Sequence, residues 1–422
     1  MPDVRIAAVE PAGDTDAPPH RLVTTGGVSS IREAAGMLGR GLTEQVAWVD
    51  VHSLSGPRLA AAVEGLALGT YRFSLATGAA PGLRQVNLIG AADEQAVASG
   101  LRAAAATAWA RELANTPASQ KSPRWLATRA ARELSRAGLE VQVRDEVWLA
   151  ENGFAGVLAV GGGSRSAPRF VEASWRPRGA AAGVHAVVVG KGITFDTGGL
   201  NIKPGGAMRT MHTDMSGAAA VFAAVRAAAL SGTKVRVTAL APIAENSVSG
   251  SAFRPGDVVR HFGGRTSEIT NTDAEGRIVL ADALAYAASR LRPTVLVDIA
   301  TLTGAVKVAL GLRMGGLFAT SDSLARALSR AAQATGEPLW RLPLNEDYAS
   351  TLGSDIADAN NAPGNPGAIT AALFLLPFTH GLPWAHLDIA GPGRSAADDG
   401  VRSRGATGFG ARLLARWLES LA

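Results

Sequence analysis

The sequence predicts an α/β protein: a small N-terminal α/β domain followed by a larger C-terminal domain with a mixed, helix-covered sheet. Three observations carry this. The chain has 422 residues, more than one hydrophobic core usually organises, so two domains are the default. Its second part alternates short apolar runs with longer helical patterns, as a sheet packed between helices does. Runs such as Val187-Val188-Val189 are continuously apolar, as expected of strands buried on both faces.

In the first part, residues 4–9 and 46–51 read as strands and 29–38 and 58–66 as helices. Residues 91–114 form a long Ala-rich helical pattern, which Asn115-Thr116-Pro117 stops, because the residue before proline disfavours the helical region. This divides the chain into an N-terminal domain (1–95), a connecting helix (96–114) and a catalytic domain (115–422). In the catalytic domain the helix candidates are 122–137, 216–230, 278–290, 323–334, 366–378 and 407–421. The strand candidates are 157–160, 185–189, 235–240 and 295–299.

Composition narrows the function. Hydrophobic residues make up 47% of the chain and charged ones 18%, which argues against global disorder. There is no cysteine, so disulfides and thiolate metal sites are excluded. The start, Met1-Pro2-Asp3-Val4-Arg5, lacks the pattern of a signal peptide. The apolar stretch 217–230 is too short to span a bilayer. A cytoplasmic protein with no membrane role is the expectation. The net charge is +5, but through Gln95 there are 7 basic residues against 10 acidic ones, and 34 against 26 beyond it. The arginines are dispersed, without the clustering of a nucleic-acid footprint. Lysine is rare: only Lys121, Lys191, Lys203, Lys234 and Lys307 occur. A lysine can give up its proton where an arginine cannot, so a lysine pair twelve residues apart in one polar run, Lys191 and Lys203, suggests a chemical requirement.

That polar run also carries Asp196 and Asp214, and it follows the strand candidate ending at Val189. In open α/β sheets, ligands gather beyond the carboxyl ends of strands. A second run, Asn271-Thr272-Asp273-Ala274-Glu275-Gly276-Arg277, places two carboxylates and a guanidinium beside a helix start. Each carboxylate has a bland explanation: Asp214 as an N-cap, Asp273 and Glu275 as partners of a helix dipole. Four of them at strand ends and helix starts, with two rare lysines, favour a shared site. Carboxylate-rich sites suit hard or borderline divalent ions. Paired ions suit hydrolysis, because they clamp the attacking and leaving oxygens of a displacement. His212 reads as a neighbour of the site rather than a ligand, and His386 as buried and structural.

At these residues the chain resembles the leucyl aminopeptidase (cytosol aminopeptidase) family. Asn271 to Arg277 matches its signature in full. The spacing of Lys191, Asp196, Lys203 and Asp214 fits it, as does the 82-residue step from Lys191 to Asp273. So do Leu113-Ala114-Asn115-Thr116-Pro117, Glu245-Asn246, Arg254-Pro255-Gly256-Asp257, Ala300-Thr301-Leu302-Thr303-Gly304, His386-Leu387-Asp388-Ile389-Ala390-Gly391 and Gly405-Ala406-Thr407-Gly408. The resemblance implies a metal-dependent aminopeptidase releasing N-terminal residues from peptides, using two divalent ions (Mn²⁺ or Zn²⁺) and bicarbonate. Asp196 and Glu275 bridge the ions, Lys191 and Asp214 complete one shell, and Asp273 completes the other. Lys203 polarises the peptide carbonyl, and Arg277 holds the bicarbonate that acts as base. Met211, Thr301, Leu302 and Gly304 line the side-chain pocket, with Met and Leu favouring an apolar residue such as Leu. The family assembles as hexamers, so a homohexamer is expected.

Two positions depart from the family pattern. His212 stands where Arg or Lys is usual, and Ser216 replaces Gly or Cys; neither is a proposed ligand. The N-terminal region gives no clear match. Two rival readings are a DNA-binding architectural protein, disfavoured by the charge distribution, and a cysteinyl-glycine dipeptidase, which shares every motif.

Overall fold

The computed structural model describes residues 3–7, 20–22, 27–77, 83–180 and 183–422. It divides into two compact units, Met1–Glu112 with Ser395–Thr407, and Leu113–Arg394 with Gly408–Ala422. The first holds a four-stranded parallel sheet in the order Asp3–Ala7, Gln85–Ile89, Val46–Asp50, His20–Arg21. Ala8 and Val9, the end of the first predicted strand, lie outside the described residues. Helices Val28–Gly41 and Gly56–Gly69 bury Ile31, Ala35, Leu59, Ala62 and Val63. These join Val49, Val86 and Leu88 from the strands in one apolar cluster. A buried ion pair, Arg32 Nε to Glu64 Oε2 at 3.0 Å, links the two helices. The helix Glu94–Asn115 leaves this unit, and its last residues count with the second.

The second unit is built on a mixed sheet. Its main path runs Leu339–Arg341, Gly315–Ala319, Trp384–Asp388, Val295–Ala300, His185–Gly190, Arg236–Asn246, Arg169–Trp175, Glu140–Arg144. A short strand, Gly192–Asp196, pairs with Arg236–Asn246 off this path. The four strands 384–388, 295–300, 185–190 and 236–246 are mutually parallel; Arg169–Trp175 and Gly315–Ala319 run against their inner neighbours. Every residue of His185–Gly190 is buried, which is why that stretch reads as an unbroken apolar run. The helix Ser216–Leu230 is buried at 13 of its 15 positions; its small, apolar circumference suits a helix packed on all sides. The helix Glu275–Tyr286 shares an apolar core with Val187, Val189, Leu240 and Leu296.

Two expectations are corrected, and one alternative explanation falls away. Residues 157–160 are not a strand; they belong to the helix Ala155–Gly161. The Asp282 carboxylate accepts a hydrogen bond from the Val157 amide at 2.9 Å, satisfying a donor in that helix's first turn. Asp214 is not an N-cap: the helix at Ser216 is preceded by Met215, with no side-chain cap. Helix 278–290 begins earlier, at Glu275, and again has no capping side chain. Asp214 is therefore free of capping duty, while Glu275 lies in the first turn of its helix.

Candidate metal centre

The four parallel strands end at one edge of the sheet. Lys191 follows the first, Asn246 closes the second, Thr301 follows the third and Asp388 closes the fourth. Asp196 ends the short strand beside Asn246. After Asp196 the chain turns sharply through Gly198 and Gly199, whose φ values of +88° and +64° suit glycine. The turn is closed by the Lys203 amide, which donates to Thr197 O at 2.8 Å. Lys203 is thereby returned to the site.

The lysines and carboxylates predicted from the sequence converge here. Lys191 Nζ lies 2.9 Å from Asp214 Oδ2 and 2.8 Å from Glu275 Oε1, and donates to Thr301 O at 3.0 Å. Lys203 Nζ lies 2.8 Å from Asp196 Oδ2 and donates to Asp273 Oδ1. Asp196, Asp214 and Glu275 each bring a carboxylate oxygen within 4.8 Å of the others, and all three are buried. Gly276 permits this: a Cβ there would stand 2.7 Å from Lys191 Cε.

Burial works against the Lys191 ammonium, but Asp214, Glu275 and Asp196 outweigh it and hold its proton far above the lysine range. Lys203 is raised in the same way, with Asp196 and Glu275 overcoming burial. Burial and the neighbouring carboxylates push Asp214 up to about 6 and Glu275 up to about 8. Asp273 is raised by burial and by Asp196. So dense a cluster of carboxylates is destabilising unless cations neutralise it.

The donor set fits divalent ions. Asp214 Oδ2 and Glu275 Oε1 accept no aligned hydrogen bond, although Lys191 stands beside both. Four carboxylates match the charge of two divalent ions once Lys191 is neutral. Were Lys191 and Glu275 to hold such ions, uptake would displace protons from Lys191 and from the protonated fraction of Glu275. The sign follows: as pH rises from about 6 to about 8, the range spanned by Asp214 and Glu275, protons leave and affinity increases. Mn²⁺ titration calorimetry in two buffers of different ionisation heat will show net proton release and tighter binding at the higher pH. Zero release, with pH-independent affinity, contradicts the assignment.

Arg277 lies two residues beyond Glu275 in the same helix and is buried. Its Nη1 donates to Asn361 O at 2.7 Å, and its guanidinium lies 6.0 Å from the Phe374 ring centroid. Its Nε has no hydrogen-bond partner. Burial lowers its pKa to about 10 against the pull of Glu275 and Asp388. Arg277 lines a cleft of about 330 Å³ with Asp273, Glu275, Leu302, Gly304 and Thr370. Of the four residues predicted for the side-chain pocket, Leu302 and Gly304 line this cleft. Met211 and Thr301 do not: Met211 opens the turn Met211–Thr213, and the Thr301 hydroxyl donates to Asp214 Oδ1 at 2.6 Å.

The catalytic-domain model of the cytosol aminopeptidase family matches residues 108–415. The chain belongs to that family. It is a metallo-exopeptidase hydrolase of the aminopeptidase type. A probable cytosol aminopeptidase of Corynebacterium efficiens is 42% identical, covering 93% of this chain and 79% of the relative. Another, from Chlorobaculum tepidum, is 48% identical over 72% of this chain and 60% of its own length. Among solved structures, the bottromycin maturation enzyme BotP in complex with Mn has a TM-score of 0.89 and 40% identity, covering 94% of this chain and 88% of that one. A second BotP structure has a TM-score of 0.88 and 37% identity, covering 100% of this chain and 99% of that one.

The aminopeptidase site also uses residues to which sequence reasoning assigned no task. Asn246 donates to Asp196 Oδ1 at 2.8 Å and to Thr272 O at 3.1 Å, orienting a carboxylate at the centre of the cluster. Asp388 accepts from the Leu302 and Thr303 amides at 3.2 and 3.0 Å and from the Thr303 hydroxyl at 2.7 Å. It thereby shapes the loop that forms one wall of the cleft. The available signal was a polar residue closing a largely buried strand. A different constellation imitates a catalytic triad. His261 lies 2.9 Å from Ser267 Oγ and 3.1 Å from Asp282 Oδ1. Exposures of 2%, 0% and 0% leave no route for a substrate, and Asp282 also accepts the Val157 and Phe262 amides. It is a structural network.

Proposed function

We propose that this chain releases N-terminal residues from peptides by two-metal hydrolysis, with Leu-like apolar residues favoured. One observation carries the reading: Lys191, Asp196, Lys203, Asp214, Asp273 and Glu275 meet at the carboxyl edge of the parallel strands. Asp196 and Glu275 would be shared by two divalent ions, Lys191 and Asp214 would help hold one of them, and Asp273 would help hold the other. Manganese or zinc would, when bound there, supply Lewis-acid charge and acidify water. Lys203 donates to the carbonyl oxygen as negative charge develops there. Arg277 holds bicarbonate through its planar fork, and bicarbonate supplies the general base. The free α-amine of the substrate enters the carboxylate cluster, which restricts cleavage to the first peptide bond. Leu302 and Ala305, lining the cleft, support the apolar preference.

The protein acts in the cytoplasm as a homohexamer on soluble peptides. No helix among the described residues is long and apolar enough to cross a membrane. A second reading is favoured by the match to BotP along 100% of this chain and 99% of that one. In it, the enzyme serves a maturation reaction on one dedicated peptide substrate. Leu-p-nitroanilide and a dipeptide panel including Cys-Gly, assayed with Mn²⁺ before and after chelation, test both. Broad, chelator-sensitive turnover supports a general aminopeptidase, whereas turnover confined to one sequence supports a maturation role. Undiminished turnover after complete metal removal overturns the mechanism.

A further inference from the structure

Lys121 is fully buried, and no carboxylate pairs with it among the described ion pairs. It lies in the loop between the helices Glu94–Asn115 and Pro123–Arg136. Its Nζ donates to three backbone carbonyls: Leu113 O at 2.9 Å, Ala114 O at 2.8 Å and His212 O at 2.6 Å. An ammonium has three N–H donors and a neutral amine only two, so three acceptors select the charged form. Burial opposes this and lowers its pKa to about 7.

The three acceptors are not equivalent. Leu113 and Ala114 sit in the last turn of a helix, where carbonyls lack intrahelical partners and carry the negative end of the dipole. A cation there caps the helix. His212 belongs to the turn Met211–Thr213, immediately before Asp214. That turn is otherwise held by short-range bonds, from the Thr213 amide to Thr210 O and the Asp214 amide to Met211 O, both at 3.1 Å. On its far side, the Thr301 hydroxyl lies 2.6 Å from Asp214 Oδ1. Asp214 is thus gripped from two directions, by Thr301 at its carboxylate and by Lys121 through the preceding turn.

We propose that Lys121 is a positioning residue for the metal centre: it pins the turn bearing Asp214 to the end of the Glu94–Asn115 helix and so sets where that carboxylate stands. The proposal rests on the reading of Asp214 as a metal ligand. A merely structural lysine contributes to folding alone. A positioning lysine also controls the affinity of the ion that Asp214 holds, leaving the other ion less affected.

The test is Mn²⁺ titration of the metal-free full chain, wild type against Lys121→Met, below the melting temperature of each. Loss of a group that orients a metal ligand typically weakens binding by about 10- to 100-fold, and that loss is expected for one of the two ions. Tyr286→Phe, which removes a 2.8 Å bond to Glu172 outside the metal centre, is the stability control and keeps wild-type affinity. If Lys121→Met does not fold, Lys121→Arg is titrated instead. Its flat guanidinium cannot meet three converging carbonyls as an ammonium does, so the same ion weakens. Unchanged affinity at both sites in the folded variant overturns the proposal and leaves the reading of Asp214 standing. Wild-type protein that binds no Mn²⁺ overturns both.

Discussion

Replacing Glu275 by Gln eliminates most turnover and lowers Mn²⁺ stoichiometry at the same time. The substitution keeps the shape of the side chain, so packing around a residue only 1% exposed is preserved. It removes charge where charge matters most, 2.8 Å from the Lys191 ammonium and within the three-carboxylate cluster. A carboxylate holding a divalent ion in a dry site is worth several kcal/mol, so kcat/KM falls on the order of 10³-fold. Elemental analysis alongside Leu-p-nitroanilide kinetics checks both halves. A Glu275→Gln protein with full metal content and near-native turnover removes this residue from the site.

The second large effect separates catalysis from metal binding. Lys203→Ala is expected to lower kcat by about 10²- to 10³-fold, the usual consequence of deleting a donor to a developing oxyanion. KM changes little, because the interaction strengthens chiefly in the transition state. Metal content is retained: Lys203 pairs with Asp196 and Asp273, and losing that competing cation frees both carboxylates. The decisive pattern is low kcat with unchanged metal. An unchanged kcat, or a loss of metal that fully accounts for lost turnover, rules out a direct role. Lys203→Arg gives little rescue, since a guanidinium is broader and differently directed than an ammonium.

Both predictions depend on residues far apart in sequence, and their legibility differed for a physical reason. Lys191 and Asp196 could be placed because a buried strand, a glycine-rich turn and a rare lysine occur consecutively. Glu275 and Arg277 stood out because unlike charges crowd a single helix start. Asn246 and Asp388 lie within segments that match the family, yet nothing local marks their task. Each acts through one neighbour brought in by the fold, and a lone polar residue at a strand end looks the same whether it orients a ligand or faces solvent. The misread segment 157–160 has the same origin. A four-residue apolar run fits a buried strand and a buried helix equally well. The choice was made elsewhere in the chain, by Asp282 accepting the Val157 amide.

The amino-acid sequence by itself determined the reaction class and the residues of the candidate metal centre. Hydrophobic period places strands and helices locally, and the chemistry of lysine and carboxylate is intrinsic to the side chains. Tertiary structure alone decided which oxygen faces which amine and that Asp214 is freed from capping. It also turned Thr301 toward Asp214, buried the His261–Ser267–Asp282 network beyond reach of substrate, and set Lys121 against the turn before Asp214. Distances of about 3 Å between residues some 50 to 110 positions apart arise only when parallel strands bring their carboxyl ends to one edge. Nothing in the local chain encodes that meeting.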